Sequence, residues 1–420
     1  MSVCTYKTLY FLHNQFGGKG NKWTTFIHNG VLFPPEYKKH DIPILFKNEQ
    51  IILPLLAEEY ATMYAKYVDT DYIKNKTFNK NFWKDWKKTL TNTKIDSLEE
   101  CDFSLIKEHL VKMKELKNKS SESSDNNDNN NSKKDEDKYK IAMIDGTEQP
   151  VGNYRIEPPG IFLGRGLHPS IGRIKTRIYP ENVTLNLSKD APIPQTLEGH
   201  KWGHIVHDRG AEWIASWYDE ITNKTKYVWL AQHSDLRNKS DVEKFDKARK
   251  LRKKIKEIRK VNYENMNDSK DMKLKQIATA LYFIDTFALR AGNEKNEDQA
   301  DTVGVTSLRL EHLTLLSNCT IKLDFLGKDS IRYQNQVIVD DIVYKNIEQF
   351  CQNKNKDDFV FELITPNDLN KYLQSFMKNL TSKVFRTFNA SYVFYKELKK
   401  ISNKMEKYEQ PDKLHVLLEL

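Results

Sequence analysis

Residues 281–295 read LYFIDTFALRAGNEK, a nearly unbroken apolar run that carries one arginine and then turns at a glycine. With the residues just before it, the run covers one helical face and much of the remainder with apolar side chains: Ile277, Leu281, Phe283, Ile284, Phe287, Ala288 and Leu289. A helix that is apolar nearly all round is buried. We therefore predict a buried helix with Gly292 as its C-cap and Arg290 in its last turn.

Arg290 admits two interpretations. A cation in the last turn of a helix complements the helix dipole, which requires no ligand. Burial, however, requires that the guanidinium be paired, and the nearby acids Glu294, Glu297 and Asp298 lie beyond the predicted cap. An anionic ligand such as a phosphate would satisfy the planar fork of the guanidinium with two hydrogen bonds.

Two further segments place a cation near apolar residues. Residues 321–339 alternate apolar and polar side chains on both sides of the turn GKDS, which predicts a β-hairpin with Lys328 at its tip. Residues 380–391, LTSKVFRTFNAS, follow a predicted helix and set Arg386 between two phenylalanines. A lysine at a hairpin tip is usually only solvated, so each signal is weak by itself.

The composition limits the class of protein. The chain has 420 residues, which suits roughly two to three domains, and its net charge of +9 favours a nucleic acid or another anion as partner. The four cysteines are scattered without a CxxC pair, so a zinc site and a disulfide framework are not indicated and a reducing compartment is expected. The apolar runs are too short to span a bilayer, and residues 1–20 lack a signal-peptide pattern.

Three other segments indicate how the chain is organised. Residues 118–137 contain no apolar side chain, which predicts a disordered insert. Residues 78–90 mix aromatic residues with lysines, and we favour an amphipathic helix with an aromatic core face over direct DNA contact. Residues 245–260 set apolar residues on one helical face and cations around the rest, so a solvated basic face and a phosphate-facing helix both stay open.

Together these segments resemble the signature segments of eukaryotic type IB DNA topoisomerase. The resemblance rests on LYFIDTFALRAGNEK, DFLGKDSIRY and LTSKVFRTFNAS, which occur in the order and spacing of that family. It extends to FNKNFWKDWKK, IEPPGIFLGRGLHP, LSKDAPIP, GHKWGHIVHD and KYVWL, and it covers most of the chain.

The resemblance implies a mixed α/β (α+β) fold that forms a clamp around DNA. The expected organisation is an atypical leader at residues 1–20, an N-terminal DNA-binding cap of strands and helices at 21–235, and a catalytic core at 236–420, incomplete at its C-terminus. The core would be mainly α-helical and tyrosine-recombinase-like, with a β-hairpin. Such enzymes relax supercoiled duplex DNA by cutting one strand through a 3′-phosphotyrosine and rejoining it. They require neither ATP nor a metal, and we expect a nuclear monomer, chromosomal and nucleolar, that does not associate with membranes.

The family motifs also imply roles for individual residues. Arg290 and Arg386 would hold the phosphate, and Lys328 would be the acid that protonates the 5′ leaving oxygen. DNA contacts are expected at these and at further positions: Lys117, Arg165, His168, Trp213, Lys226, Tyr227, Lys244, Arg290, Ala291, Gly292, Asn293, Glu294, Lys295, Thr302, Lys328, Thr381, Ser382 and Lys383. The resemblance associates Arg165 and Asp329 with inhibitors of the camptothecin type.

The sequence departs from the family pattern in several places. Leu163 and Leu167 replace polar residues beside the GRG segment, the NEDQAD stretch before Thr302 is shorter, and residues 1–20 do not resemble the usual lysine-rich leader. The family's catalytic histidine and tyrosine motifs are not found in this sequence. We therefore expect the tyrosine to lie outside this chain, which would be inactive alone, whether as a truncated form or as the large subunit of a two-chain enzyme.

Two other classes of protein share part of this pattern. A DNA-clamping protein without enzymatic activity would bind duplex DNA in a salt-dependent way and would not nick it. A tyrosine site-specific recombinase would share the arginine–lysine–arginine pattern, but the segment IEPPGIFLGRGLHP disfavours it.

Overall fold

The computed structural model describes residues 20–91, 93–123, 136–292 and 300–405. The chain divides into two compact units, Met1–Lys239 and Ser240–Leu420. Within the described residues there are eight α-helices and fifteen strands in five small sheets. The mixed α/β class predicted from the sequence is confirmed.

The first unit contains twelve of the described strands and three α-helices. In chain order the strands are β1 (Phe26–His28), β2 (Ile44–Phe46), β3 (Glu49–Ile51), β4 (Cys101–Asp102), β5 (Ile141–Ile144), β6 (Thr147–Pro150), β7 (Gly160–Ile161), β8 (Ile174–Lys175), β9 (Val183–Asn186), β10 (His204–Val206), β11 (Trp213–Asp219) and β12 (Lys224–Trp229). The helices are α1 (Leu55–Ala65), α2 (Lys76–Trp86) and α3 (Ser104–Ser123). The sheet orders are β1-β5-β6, β3-β2-β4, β7-β8 and β10-β9-β11-β12.

An aromatic core holds the helical part of the first unit together. The side chain of Asn75 starts α2 by accepting hydrogen bonds from the backbone nitrogens of the next turn, at 2.9 and 3.2 Å. One face of α2 then buries Phe78, Phe82 and Trp86 completely, and the indole Nε1 of Trp86 donates to the carbonyl of Ala57 at 3.0 Å. The predicted aromatic core face is therefore confirmed.

The second unit packs five helices around a three-stranded antiparallel meander. Its elements are α4 (Asp235–Asp268), which begins at the end of the first unit, α5 (Met272–Phe287), β13 (Leu313–Leu316), β14 (Thr320–Leu326), β15 (Arg332–Ile338), α6 (Asp341–Cys351), α7 (Pro366–Phe376) and α8 (Ser382–Met405). Leu251, Ile255 and Ile258 of α4 lie in this core, and α5 is buried along most of its length. The predicted buried helix and the predicted β-hairpin are both confirmed.

Two predictions about helix ends are wrong. α5 ends at Phe287, and its C-cap is Ala288 in the left-handed conformation (φ 53°), not Gly292. The chain turns early because the next side chain, Leu289, is drawn into the core, where it is 7% exposed. The predicted insert at 118–137 also begins too early. α3 continues to Ser123, because elongation of a helix that has already formed costs little per residue, and residues 124–135 lie outside the described residues.

Candidate anion-binding site

Arg290 lies on the surface, directly after the early end of α5. The prediction that its guanidinium is buried in a last helical turn is therefore wrong. Its backbone is nevertheless held firmly, because the carbonyl of Arg290 accepts from Val305 N at 2.8 Å and that of Ala291 accepts from Thr306 N at 2.7 Å. These bonds fix the position of the backbone from which the exposed Arg290 side chain extends.

Gly292 has a role other than the predicted helix cap. Its φ is +89°, and a Cβ built on it would lie 2.7 Å from the Cα of Gly304. A Cβ on Gly304 would lie 2.4 Å from the Cα of Gly292. The two backbones cross so closely that neither position has room for a side chain, and this crossing brings residues 303–306 against the Arg290 segment.

Arg386 extends from α8 toward the same segment. Its neighbours Phe385 and Phe388 are buried and anchor this part of α8 in the core. The Nε of Arg386 donates to the carbonyl of Ala288 at 2.8 Å, two residues before Arg290. Partial burial lowers the pKa of Arg386, and the positive charge of Arg290 lowers it further. The fold thus holds two guanidinium groups near each other, which we call the arginine pair.

Among the residues that the structure describes, the arginine pair has no carboxylate partner. In the part of the chain that the structure describes, no aspartate or glutamate oxygen lies within 4.0 Å of either guanidinium. Other arginines of this unit do have such partners, as Arg309 has with Asp301 and Glu311 at 2.5 and 2.7 Å. Two like charges kept together without a counter-ion form a site suited to an anion with two acceptor oxygens.

Lys328 is connected to this site through the backbone. It stands at the tip of the β14–β15 hairpin, where Asp329 and Ser330 adopt left-handed conformations (φ 67° and 58°). The end of β14 is joined to the Arg290 region because Val303 N donates to the carbonyl of Leu326 at 2.8 Å. The Lys328 side chain is exposed, and among residues that the structure describes it forms no ion pair.

Other predicted contact residues of the second unit lie on the same framework or close to it along the chain. Thr302 precedes Val303, and Thr381, Ser382 and Lys383 form the start of α8, one turn before Arg386. Lys244 lies on α4, where it pairs with Asp241 at 2.9 Å. Asn293, Glu294 and Lys295 lie outside the described residues.

The predicted contact residues of the first unit have different surroundings. Arg165 is exposed in a loop, while Trp213 in β11 is only 3% exposed and packs at 5.7 Å from the ring of Tyr227. The Nδ1 of His168 accepts from the backbone of Ser170 at 3.1 Å. Lys226 pairs with Asp219 at 3.0 Å and also with Glu157. Lys117 lies on α3, and its side chain is outside the described residues.

The sequence did not indicate two groups that the site depends on. The carbonyl of Ala288 orients Arg386, and residues 303–305 connect Arg290 to the hairpin. Both are backbone groups, so their residue types carry no signal. None of the helices in the described part of the chain is long and apolar enough to cross a membrane, and no three His, Cys, Asp or Glu side chains there form a group that could hold a metal ion.

Comparison with known proteins identifies matches along nearly the whole chain. Residues 21–230 match the family model for the DNA-binding fragment of eukaryotic DNA topoisomerase I, and residues 233–416 match the model for its catalytic core. DNA topoisomerase 1 of Candidozyma auris is 43% identical over 397 residues, which cover 93% of this chain and 53% of the relative.

Relatives from distant organisms match to a similar extent. DNA topoisomerase 1 of Homo sapiens is 40% identical over 395 residues (91% of this chain, 52% of the relative). DNA topoisomerase 1 beta of Arabidopsis thaliana is 44% identical over 378 residues (89% and 41%). The chain thus spans about half the length of the curated relatives it matches. With both family models matching in sequence order, the chain belongs to the eukaryotic DNA topoisomerase I family.

Proposed function

We propose that this chain is the DNA-binding and catalytic core part of a type IB topoisomerase, which relaxes supercoiled duplex DNA through a transient 3′-phosphotyrosine. The arginine pair is the observation that carries the proposal. Arg290 and Arg386 lie near enough that the charge of Arg290 lowers the pKa of Arg386, and among the described residues no carboxylate neutralises them. A DNA phosphodiester offers the two non-bridging oxygens that such a pair binds. Membership of the family supports DNA as the source of that phosphodiester.

The proposed reaction is an in-line transesterification. The tyrosine hydroxyl loses its proton to solvent and its oxygen attacks the phosphorus, a phosphorus–oxygen bond to the tyrosine forms, and the bond to the 5′ oxygen breaks. Arg290 and Arg386 stabilise the charge that builds up on the non-bridging oxygens. Lys328 donates a proton to the departing 5′ oxygen, and the reverse steps rejoin the strand. Because one phosphoester bond replaces another, the reaction requires neither ATP nor a redox partner, and we propose that it requires no metal.

In this proposal the nucleophilic tyrosine and the family's catalytic histidine lie outside the 420 residues. A two-chain enzyme, in which a second chain supplies the tyrosine, and a DNA-clamping protein without nicking activity are the alternatives. We also propose that the protein acts as a monomer in the nucleus. Arg165, His168, Lys244 and the start of α8 would contact the DNA backbone, which positions the duplex without specifying its sequence.

Binding to a short fluorescein-labelled DNA duplex tests the arginine pair without requiring the nucleophile. Arg386→Ala removes charge-assisted hydrogen bonds to the phosphate, so the affinity should fall about 10- to 100-fold. Arg309→Ala is the matched control, because Arg309 lies in the same unit but is already paired with carboxylates. It should change the affinity by less than about two-fold. Unchanged affinity in Arg386→Ala, or an equal loss in both variants, would contradict the proposed site.

A relaxation assay with supercoiled plasmid, EDTA and no ATP tests the location of the nucleophile. The chain alone should bind the plasmid and leave it supercoiled. Co-expression with the part of the Candidozyma auris relative that this chain does not cover should give relaxation. Relaxation by the chain alone would refute a nucleophile outside the chain. Continued binding without relaxation in the co-expressed sample would favour the DNA-clamping alternative.

A further inference from the structure

One carboxylate in the second unit joins three helices. Asp285, in the last turn of α5, accepts from Arg259 of α4 through both oxygens: Nε to Oδ2 at 2.7 Å and a terminal nitrogen to Oδ1 at 3.0 Å. The Nδ2 of Asn389 on α8 donates to the same Oδ1 at 3.0 Å and to the backbone carbonyl of Asp285 at 2.6 Å. The Asp285 side chain is only 11% exposed, so these bonds are poorly screened by solvent.

The Asn389 bonds run beside the bond that orients Arg386. Asn389 lies three residues after Arg386, on the same face of α8. Ala288, whose carbonyl binds the Nε of Arg386, lies three residues after Asp285. Two neighbouring sets of hydrogen bonds therefore join the end of α5 to the start of α8: those from Asn389 to Asp285, and the one from Arg386 to Ala288. We expect loss of the Asn389 bonds to let the start of α8 shift, which would move the guanidinium of Arg386 away from the carbonyl of Ala288.

Arg259 also keeps the negative charge of Asp285 away from the arginine pair. Asp285, Arg259, Asn389 and Arg386 line the same cleft, which has a volume of about 980 Å³. A carboxylate that turned toward Arg386 would compete with a phosphate for it. Because both oxygens are held by Arg259 and Asn389, the carboxylate orients α8 without neutralising Arg386.

We infer that Asp285 and Asn389 are positioning residues for Arg386, and that they hold its guanidinium where it binds the phosphodiester together with Arg290. The inference rests on the proposed function only in that Arg386 contacts DNA phosphate. A displacement of about 1 Å in a binding group is enough to reduce its contribution severely.

A double-mutant cycle on duplex binding tests this inference in the complete 420-residue chain. The variants are Asn389→Ala, Arg386→Ala and the double variant, measured on a fluorescein-labelled duplex at a temperature where circular dichroism shows all of them folded. If Asn389 positions Arg386, Asn389→Ala alone weakens binding about 5- to 10-fold, and Arg386→Ala then costs less than about three-fold in that background, compared with about 10- to 100-fold in the unaltered chain. A purely structural asparagine would not change the cost of the second substitution.

Asn262→Ala is the matched control. Asn262 also lines the cleft; it is buried, whereas Asn389 is half-buried, and the Nδ2 of Asn262 donates to a carbonyl of α5, that of Ala278, at 2.9 Å. It bonds to α5 and α7 but not to α8. Asn262→Ala should lower the stability of the unit and leave the cost of Arg386→Ala unchanged. If Arg386→Ala reduces duplex affinity by the same factor in the unaltered chain and in the Asn389→Ala variant, the inference is overturned and the proposed function still stands. No cost of Arg386→Ala in the unaltered chain would overturn both.

A second measurement does not depend on DNA. The Nε proton of Arg386 is held by the carbonyl of Ala288, so its nuclear magnetic resonance signal should be protected from exchange with water in the unaltered chain. Asn389→Ala and Asp285→Ala should each abolish that protection, and Asn262→Ala should retain it. Protection that survives both Asn389→Ala and Asp285→Ala would refute a positioning role.

Discussion

The two units differ in how their arginine and lysine side chains are paired. In the first unit, a cleft of about 530 Å³ is lined by arginines and lysines that are all matched to carboxylates: Lys88 and Arg173 with Asp85, Arg177 with Glu59, Lys175 with Glu157, and Lys226 with Glu157 and Asp219. In the second unit, the arginine pair has no such partner within the residues described. A cleft rich in cations is therefore not by itself an anion site.

The pKa shifts show the same contrast. Burial opposes ionisation of Glu157, but bonds from Lys175 and Lys226 outweigh it and hold the pKa of Glu157 below its ordinary value. Burial lowers the pKa of Arg386, the charge of Arg290 lowers it further, and no carboxylate among the described residues opposes these two effects. The paired cations stabilise the first unit by joining its parts. The two arginines, which have no carboxylate partner in the described part of the chain, repel each other, and a bound phosphate would relieve that repulsion.

The largest expected effect comes from removing one member of the arginine pair. In the co-expressed enzyme, Arg290→Ala should reduce the rate of plasmid relaxation about 10³-fold, because a donor to the charged transition state is lost. Urea unfolding should show a stability within about 0.5 kcal/mol of the unaltered chain, since Arg290 is exposed and unpaired among the described residues. A large loss of stability would mean that Arg290 is structural, and the contrast between the units would fail.

A smaller effect is expected on the stability of the first unit at low pH, because its fold keeps the buried side chain of His28 uncharged. His28 is buried, its Nε2 donates to the carbonyl of Asn186, and its Nδ1 accepts from Gly30 N, so a proton added at Nδ1 would break the bond from Gly30. Burial lowers the pKa of His28 to about 4, from the ordinary value of 6.5. The unfolded chain therefore binds a proton first, and stability is lost as the pH falls from 6.5 toward 4.

The size of this loss can be measured by urea unfolding. Acidification through that range should cost about 2 to 3 kcal/mol through His28. His28→Gln should remove that part of the pH dependence while leaving the contribution of the other histidines. An unchanged slope of stability against pH in His28→Gln would show that His28 already accepts a proton in the folded state.

The smallest effect is expected from Lys226→Met, which tests whether Lys226 stabilises the first unit or binds DNA phosphate. Lys226→Met leaves Asp219 and Glu157 without their shared partner, and should destabilise the first unit by about 1 to 2 kcal/mol. The salt dependence of duplex binding should not change, whereas Arg386→Ala should reduce the logarithmic salt slope by about one. Lys224→Met, at an exposed position of the same strand, is the control for stability. A reduced salt slope in Lys226→Met would identify Lys226 as a DNA contact.

The sequence predicts elements whose signal is local. The apolar periodicity before Arg290 predicts a buried helix, the alternation around GKDS predicts a hairpin, and both are present. The exposure of Arg290 was not predictable in this way. It depends on Leu289 entering the core and on Ala288 adopting a left-handed conformation, which glycine at position 292 was expected to provide.

Local sequence patterns also could not predict which distant residues pair with each other. The partners of Lys226 stand 69 positions away, at Glu157, and across the hairpin at Asp219. Arg386 meets the carbonyl of Ala288 across 98 positions. Whether a cation is neutralised or left for a ligand depends on such contacts, which only the folded chain brings together. Resemblance to a family suggested which cations matter, but not which of them have carboxylate partners.

The crossing of Gly292 and Gly304 has a consequence for how this family can vary. A side chain at either position would push the two backbones apart and stretch the bonds from Val305 to Arg290 and from Thr306 to Ala291. Once one substitution has opened the gap, a second adds little further damage, so the two costs are not additive. We therefore expect the two glycines to change together. In a variant substituted at both positions, restoring glycine at only one of them would not restore the original spacing of the backbones.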